Sequence, residues 1–179
     1  MPIVKANNIN IYYEIHGNGT PLILIGGLAS DHNGWETVLG EFAKKFQVII
    51  FDNRGAGQSD VTPAPYSTQL LAEDVVGLMD ALEIPSAHVL GHSLGSAIAQ
   101  QLAINFPEKI KKLIIHAPFI APLTIPKMAM SVTETLLQQK IAVELIARYN
   151  IPWLYSADFI EDPQRLSIAL DRMAKKRYP

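Results

Sequence analysis

The segment HVLGHSLGSAIAQQLA (residues 88–103) joins an apolar run to a stretch with helical spacing, and it decides the fold. Its middle, GHSLG (residues 91–95), places one serine between two glycines at this junction. A serine between a buried strand and a helix is either a nucleophile on a sharp turn or a helix N-cap. The surrounding sequence has to discriminate between these two roles.

Ser93 lies in a Gly-x-Ser-x-Gly motif, which between a strand and a helix indicates a nucleophile on a strained turn. Gly91 and Gly95 leave room for this turn, and His92 completes it. The turn directs the hydroxyl beyond the carboxyl ends of the strands, where open α/β sheets bind ligands. The alternative is a helix cap in a nucleotide-binding fold, but GHSLGS matches neither G-x-G-x-x-G nor a phosphate loop. We therefore favour the nucleophile.

A serine nucleophile requires two backbone N–H groups to stabilise the oxyanion of the tetrahedral intermediate. Leu94 follows the serine, so its N–H is one expected donor. The run PLILIGG (residues 21–27) ends in two glycines that allow close approach of the backbone, so we expect Leu28 N–H to be the second donor, supported by Gly27. On their own, these two glycines are equally consistent with the simple end of a strand.

Apolar runs alternate with helical patterns along the first two thirds of the chain. Four runs are predicted to be buried strands: PLILIGG, QVIIFDNRG (residues 47–55), AHVLG (87–91) and IKKLIIHAP (110–118). This alternation predicts βαβ units, and hence an α/β fold with a mostly parallel sheet and flanking helices. Before them, IVKANNINIYYEIHG (3–17) is predicted to form a hairpin that turns at two asparagines.

Two of the intervening helices are predicted from apolar residues at helical spacing. The first carries Trp35, Val38, Leu39, Phe42 and Phe46. The second is capped by Ser67 or Thr68, and its apolar stripe consists of Leu71, Val75, Leu78 and Leu82.

The pattern changes after His116, where three prolines (118, 122 and 126) argue against a regular helix. A helical pattern returns over about residues 131–149, and Asp162-Pro163 predicts the cap and first turn of a last helix. Since this part has no strand pattern, we predict two domains. Residues 1–118 form the N-terminal part of an α/β core, and residues 119–179 form a partial helical cap.

Composition excludes several classes of function. The chain has 179 residues, 49% of them hydrophobic and 18% charged, which is typical of a globular protein. A net charge of −2 without a basic, aromatic-rich stripe argues against nucleic-acid binding. The absence of cysteine excludes disulfides and thiolate metal sites, and no metal or cofactor is implied. Without a membrane-spanning run or a leader pattern, we expect no membrane association and a cytoplasmic location.

Taken together, these motifs resemble the α/β-hydrolase fold superfamily, and most closely the branch of 3-oxoadipate enol-lactonases and related small esterases. The resemblance rests on IGGLASDHNGW (residues 25–35), DNRGAGQSD (52–60), the stretch 66–103 and FPEKIKKLII (106–115). It covers residues 3 to 120 closely and the cap loosely. It implies an acyl-enzyme mechanism on a small carboxylic ester, lactone or thioester.

The resemblance also implies residue roles and reveals two departures. It makes Ser93 the nucleophile, with the oxyanion amides at Leu28 and Leu94. Gly26 stands where many members have histidine, and Ser96 stands where many have glycine. Neither change removes a donor, but both bear on the shape of the pocket.

In this family the acid and the histidine of the triad follow the serine, after two further strands. We expect these strands, their helices and the histidine loop to lie outside the 179 residues, because the chain ends within the predicted cap. Within the chain, His116 is the one candidate base at the correct sheet edge, although a plain strand-end histidine is the commoner case. Asp52 is interpreted as the organiser of a self-bonded loop with Arg54 rather than as the triad acid.

Two functional hypotheses therefore remain. The first is the N-terminal part of a serine hydrolase, nearly inactive as this chain alone and self-associating through uncovered sheet surface. The second is a non-catalytic fragment or binding module with the hydrolase fold. Cofactor-free haloperoxidases and C–C hydrolases share the same residues and stay open, whereas dehalogenases and epoxide hydrolases place an aspartate where Ser93 stands.

Overall fold

The structure, a computed structural model, describes residues 2–119 and 124–174. These residues form two compact units, one up to residue 119 and one from residue 124. The roles predicted for these two parts, hydrolase core and cap, stay a prediction. In the described part of the chain, no helix combines the length and hydropathy needed to span a bilayer.

The first unit is built on a six-stranded sheet with the strand order β1-β2-β4-β3-β5-β6. Its strands are β1 (Ile3–Ala6), β2 (Ile9–His16), β3 (Thr20–Ile25), β4 (Phe46–Phe51), β5 (Ala87–His92) and β6 (Ile110–His116). The last four are mutually parallel, whereas β2 runs antiparallel to β4. The prediction of a mostly parallel α/β sheet is therefore confirmed.

The N-terminal hairpin turns at Asn7 and Asn8, which adopt φ values of 44° and 64°. Asparagine tolerates this left-handed conformation better than most residues, which explains the turn. Apolar residues alternate along β2 at Ile9, Ile11, Tyr13 and Ile15, which predicts one buried face. Ile9 and Ile11 are buried, but Ile15 is 43% exposed. Ile15 belongs to none of the buried apolar clusters, so alternation overstated how far the burial extends.

Three helices flank the sheet: α1 (Glu36–Ala43), α2 (Thr68–Ala81) and α3 (Leu94–Asn105). Successive strand residues point to opposite faces, so the central strands β3 and β4 contribute to two cores. One core contains Ile23, Ile49, Val89 and residues of α2 and α3. The other contains Leu22, Leu24, Val48 and Ile50, packed against Trp35, Leu39, Phe42 and Phe46 around α1.

Helix boundaries follow local signals in the first unit. The Ser67 hydroxyl accepts the N–H of Leu70 at 3.0 Å, which confirms this residue as the cap of α2. Phe46, predicted to continue the first helix, is instead the first residue of β4. The helix ends at Ala43, and Phe46 packs on the same apolar cluster from the strand.

The second unit contains α4 (Thr124–Gln138), α5 (Val143–Leu154), α6 (Ala157–Ile160) and α7 (Pro163–Ala174). The pattern over residues 131–149 is thus two helices rather than one. Pro126 lies in the first turn of α4, where proline removes no intrahelical hydrogen bond, so the predicted absence of a helix there is wrong at this residue. Pro122 lies outside the described residues. No strand occurs within residues 124–174.

The start of α7 agrees with the sequence. Asp162 Oδ1 accepts the N–H groups of Gln164 at 2.9 Å and Arg165 at 3.1 Å, and Pro163 opens the helix. The helix buries Ala169 and Met173, with Leu166 and Leu170 packed beside them.

Candidate active site

Ser93 forms the turn between β5 and α3. Its φ of 54° and ψ of −116° are strained for any residue other than glycine. The Ser93 N–H donates to the His116 carbonyl at 3.0 Å, while the Ser93 carbonyl accepts the N–H of Ser96 at 2.9 Å and its hydroxyl at 2.6 Å. The strained conformation is therefore held by hydrogen bonds on both sides of the residue. Ser96, the departure from glycine, contributes two of these hydrogen bonds, one of them from its side chain.

The two motif glycines leave room for close backbone contacts. A Cβ at Gly91 would lie 2.2 Å from the Gly95 carbonyl oxygen, and a Cβ at Gly95 would lie 2.0 Å from that of Ile25. A Cβ at Gly27 would lie 3.3 Å from the Ser93 Cβ. The loop after β3 is thus packed directly against the Ser93 turn.

The loop after β3 bears one of the two predicted oxyanion donors. Ser30 N–H donates to the Gly27 carbonyl at 3.2 Å, and this turn places Ala29 at a φ of 53°. Within the described residues, the backbone N–H groups of Leu28 and Leu94 make no hydrogen bond. Both groups are therefore available to a ligand oxygen.

A pocket of about 230 Å³ lies beside this loop. Leu28 and Leu94 line it, together with Ala56 after β4 and with Thr68 and Leu71 of α2. Ser93 is not among its lining residues, so the pocket adjoins the turn rather than enclosing the serine. Its mostly apolar wall would favour an uncharged organic group.

His116, the candidate base, is close to His92 on the neighbouring strand. The Nδ1 atoms of the two rings are 2.8 Å apart, which is a hydrogen bond once one of them carries the proton. Burial, and then the neighbouring His116, lowers the pKa of His92. In the part of the chain that the structure describes, no histidine is hydrogen-bonded to the Ser93 hydroxyl. The contact that a general base would make is therefore not formed here.

Asp52 organises its own loop, as the sequence suggested, and it also binds the loop after β3, which sequence reasoning missed. This fully buried carboxylate accepts the backbone N–H of His32 at 2.6 Å and its ring Nδ1 at 2.9 Å through Oδ1, and the N–H of Gln58 at 2.8 Å through Oδ2. Twenty residues separate Asp52 from His32, and no local pattern marks such a pair. Only the pairing of β3 with β4 brings them together.

The loop after β4 is self-bonded, as expected, but the Arg54 guanidinium binds outside it. This guanidinium binds the buried Asp74 carboxylate on α2 at 2.9 Å and 2.6 Å, not Asp52. The hydrogen bonds to Asp74 raise the pKa of Arg54 against the opposing effect of burial. Asn7 also donates to Asp74, at 2.7 Å, so this ion pair connects the N-terminal hairpin to α2. Its role is structural.

Metal ligation has no support in the described residues. Within residues 2–119 and 124–174, no group of three or more histidine, aspartate or glutamate side chains has the arrangement needed to hold a metal ion.

The fold and the turn at Ser93 agree with the comparison to known families. A model of the alpha/beta hydrolase fold family matches residues 20–169, so the chain belongs to the α/β-hydrolase fold family. This result confirms the resemblance drawn from the motifs. The cytoplasmic location and the lack of nucleic-acid partners stay predictions.

Two relatives show how much of the family's length is present. The protein named carbamate hydrolase RutD of Azorhizobium caulinodans is 36% identical over 115 residues, covering 64% of this chain and 43% of the relative. The 3-oxoadipate enol-lactonase 2 of Acinetobacter baylyi is 34% identical over 114 residues, covering 63% and 43%. The chain thus spans less than half the length of these relatives.

Solved structures show the same architecture. The enol-lactonase from Burkholderia xenovorans superposes with a TM-score of 0.82 at 26% identity, covering 98% of this chain and 68% of that protein. A thermophilic esterase from Thermogutta terrifontis gives a TM-score of 0.84 at 23% identity, which shows the fold alone.

Proposed function

We propose that this chain carries the nucleophile and the oxyanion-stabilising amides of a serine hydrolase acting on small carboxylic esters, lactones or thioesters. One observation supports this most: Ser93 is held at φ 54° and ψ −116° between a strand and a helix. Strained backbone of this kind persists where the surrounding structure maintains it, and it is concentrated at functional sites.

The proposed reaction proceeds through an acyl-enzyme. The Ser93 oxygen attacks the carbonyl carbon, and its proton passes to a base. The tetrahedral intermediate then expels the alcohol or thiol, which takes up a proton, and water hydrolyses the acyl-enzyme and regenerates Ser93. The N–H groups of Leu28 and Leu94 would stabilise the oxyanion of each intermediate, and loss of one such donor typically costs about 10²–10³ in kcat.

We further propose that the base is a histidine–carboxylate pair from outside these 179 residues. The Asp52–His32 pair does not provide it, since His32 Nε2 faces Glu14 at 3.8 Å. Without the base the Ser93 hydroxyl is a weak nucleophile. The chain alone is therefore expected to be nearly inactive, with about 10³–10⁴-fold residual catalysis over water from the oxyanion site and binding.

Carbamates are a second candidate substrate class, because the relative with 36% identity is named a carbamate hydrolase. A carbamate carbonyl would use the same nucleophile and the same two amides. Competition between an aryl ester and an aryl carbamate for Ser93 would discriminate the two classes.

A fluorophosphonate probe tests the proposed nucleophile. We expect the chain to be labelled slowly at Ser93 in imidazole buffer, which supplies an external base, and Ser93→Ala to abolish the label. Ser156→Ala is the matched control, because this exposed hydroxyl makes no cap hydrogen bond. A chain that stays unlabelled, or a label that survives Ser93→Ala, would contradict the proposal and favour a non-catalytic module.

A further inference from the structure

We propose that His32 is a positioning residue: bound to Asp52, it holds the loop that carries the Leu28 amide against the Ser93 turn. The inference rests on the proposed function, because it assumes that Ser93 is the nucleophile and that the Leu28 amide stabilises the oxyanion. It concerns a residue that does not line the pocket and, among the described residues, has no hydrogen bond to Ser93.

Two consecutive residues at the end of β4 hold the two ends of this loop. The Asn53 side-chain amide donates to the Gly26 carbonyl at 3.3 Å, at the start of the loop. Asp52 Oδ1 accepts both the backbone N–H and the ring Nδ1 of His32, at the other end. The Leu28 amide lies between these anchors, on the segment whose Gly27 packs against Ser93.

The hydrogen bonds between Asp52 and His32 are shielded from water, which makes them hard to break. The Asp52 carboxylate is 0% exposed and the His32 side chain is 12% exposed. A side chain at Gly57 would start 2.1 Å from Asp52 Oδ2, so the backbone closes tightly over this carboxylate. Hydrogen bonds to a buried charged group are costly to break, since the group left behind has no water to replace its partner.

The other side of the His32 ring is also fixed. The ring lies 4.6 Å from that of Tyr12, centroid to centroid, and its Nε2 is 3.8 Å from Glu14 Oε1. Glu14 is in turn held by the Tyr12 hydroxyl at 2.5 Å and by His16 Nε2 at 2.7 Å. His32 is therefore oriented between the carboxylates of Asp52 and Glu14.

The loop needs such an anchor because it is strained. Ala29 has a φ of 53°, which a non-glycine residue adopts at a cost. If the His32 end were released, the turn from Gly27 to Ser30 would relax, and the Leu28 N–H would lose its fixed direction. Geometric precision of this kind is what makes an oxyanion donor effective.

Two variants of the full chain test this role. His32→Leu removes the ring donor while keeping an apolar side chain against Tyr12. His32→Asn places an amide N–H near the position of Nδ1 and should restore the bond to Asp52. Asn105→Leu is the control, because the side-chain hydrogen bond of this exposed residue, to Gln101 at the end of α3, involves neither Asp52 nor Glu14.

The first readout is amide hydrogen exchange, which requires no reaction. We expect His32→Leu to increase the exchange rate of the Ser30 amide about tenfold, while the core amides of Ile23 and Ile49 keep theirs. The second readout is the rate of fluorophosphonate labelling at Ser93, which should fall about tenfold or more. His32→Asn should recover most of both, and Asn105→Leu should change neither.

The outcomes separate this role from the proposed function. Absence of labelling in the wild-type chain overturns the proposed function, and the role of His32 with it. If the wild-type chain is labelled and His32→Leu is labelled at the same rate, the role of His32 alone is overturned, whatever the loop does. If His32→Leu destabilises the whole first unit, the test rests on His32→Asn. A His32→Asn variant that is stably folded but still labelled slowly would contradict the role of His32.

Discussion

Ser93 shares its unusual backbone with two neighbours. Ala29, Ser93 and Ala117 have φ values of 53°, 54° and 50°, and they lie just beyond the ends of β3, β5 and β6. Because these strands are parallel and adjacent, the three residues share one edge of the sheet. This edge therefore holds conformations that none of these three side chains favours.

Ser93→Gly should increase the stability of the chain by about 1 kcal/mol. Glycine removes the steric cost of the positive φ, which is only partly offset by the greater freedom of glycine in the unfolded chain. Ser93→Ala should leave stability nearly unchanged, because the Ser93 hydroxyl has no hydrogen bond among the described residues. Urea unfolding of the two variants tests this ranking, and a glycine variant less stable than the alanine variant would contradict it.

Gly95→Ala should destabilise the first unit by about 3 kcal/mol, because its Cβ would lie 2.0 Å from the Ile25 carbonyl and the backbone has to move. Gly40→Ala is the matched control. Gly40 lies within α1 with no atom within 4 Å of the added Cβ, so alanine should stabilise the helix by up to about 1 kcal/mol. Chemical denaturation of both variants measures the difference, and equal effects would refute the packing argument.

His92 should make stability depend on pH. Its pKa is lowered in the folded state, so the unfolded chain binds this proton more readily. The resulting stability is present above the usual histidine pKa of about 6.5 and is lost as the pH falls below it. His92→Gln should therefore lose less stability than the wild type between pH 7.5 and about 5.5 in urea titrations. If the wild type and His92→Gln lose the same stability between the two pH values, His92 does not contribute to the pH dependence.

Helix caps are the features of single elements that local sequence determines most directly. Ser67 and Asp162 cap α2 and α7 with side-chain hydrogen bonds, and Pro163 begins α7. Ser156 precedes α6 without such a bond. The N-cap side chain is therefore expected to stabilise α2 and α7, but not α6.

Asp162→Ala should destabilise the second unit by about 1 kcal/mol, since two backbone N–H groups at the start of α7 lose their acceptor. Asp162→Asn, which keeps an acceptor, should retain most of the stability. Ser156→Ala in the same unit is the control and should have no measurable effect. Thermal unfolding followed by circular dichroism measures the three variants, and a loss in Ser156→Ala as large as in Asp162→Ala would contradict the assignment.

The elements that sequence predicted are those determined by neighbours in the chain. The turn at Asn7 and the caps depend on a few adjacent residues, and the Ser93 turn depends on two glycines close by. Phe46 was misplaced because helix α1 and strand β4 present apolar residues to the same core, so spacing alone does not separate them. Periodicity likewise did not show the break between Gln138 and Val143.

The candidate site was predictable only in part, for a related reason. The placement of Leu28 beside the Ser93 turn could be predicted, because loops at the carboxyl ends of adjacent parallel strands meet. The bonds of Asp52 to His32 and of Arg54 to Asp74 each join residues 20 positions apart. These pairs depend on how β3, β4 and α2 are placed, and no pattern along the chain encodes that placement.

At the scale of the whole molecule, β6 is one of the two edge strands of the sheet. Only β5 pairs with it in the described structure, and Ile114 and Ile115 are 49% and 38% exposed. An unpaired strand edge with apolar side chains is a site of association between chains.

The chain is therefore expected to self-associate at micromolar concentrations. Ile115→Lys should reduce this association, because a charge on an edge strand opposes pairing. Ile104→Lys is the control, since Ile104 is 70% exposed but lies on α3. Light scattering across a dilution series measures the mass, and a stable monomer throughout would contradict the expectation.

The order of the strands also has a consequence for synthesis on the ribosome. β3 is complete at residue 25, but it lies between β4 and β5, and β5 ends only at residue 92. The Asn7 side chain in the hairpin likewise has no Asp74 carboxylate to donate to until residue 74 has been synthesised. A nascent chain must therefore keep Ile23, Leu24 and Ile25 unpaired on one side while most of the first unit is translated. Chaperones that bind short apolar segments should recognise this stretch during translation and release it once β5 emerges.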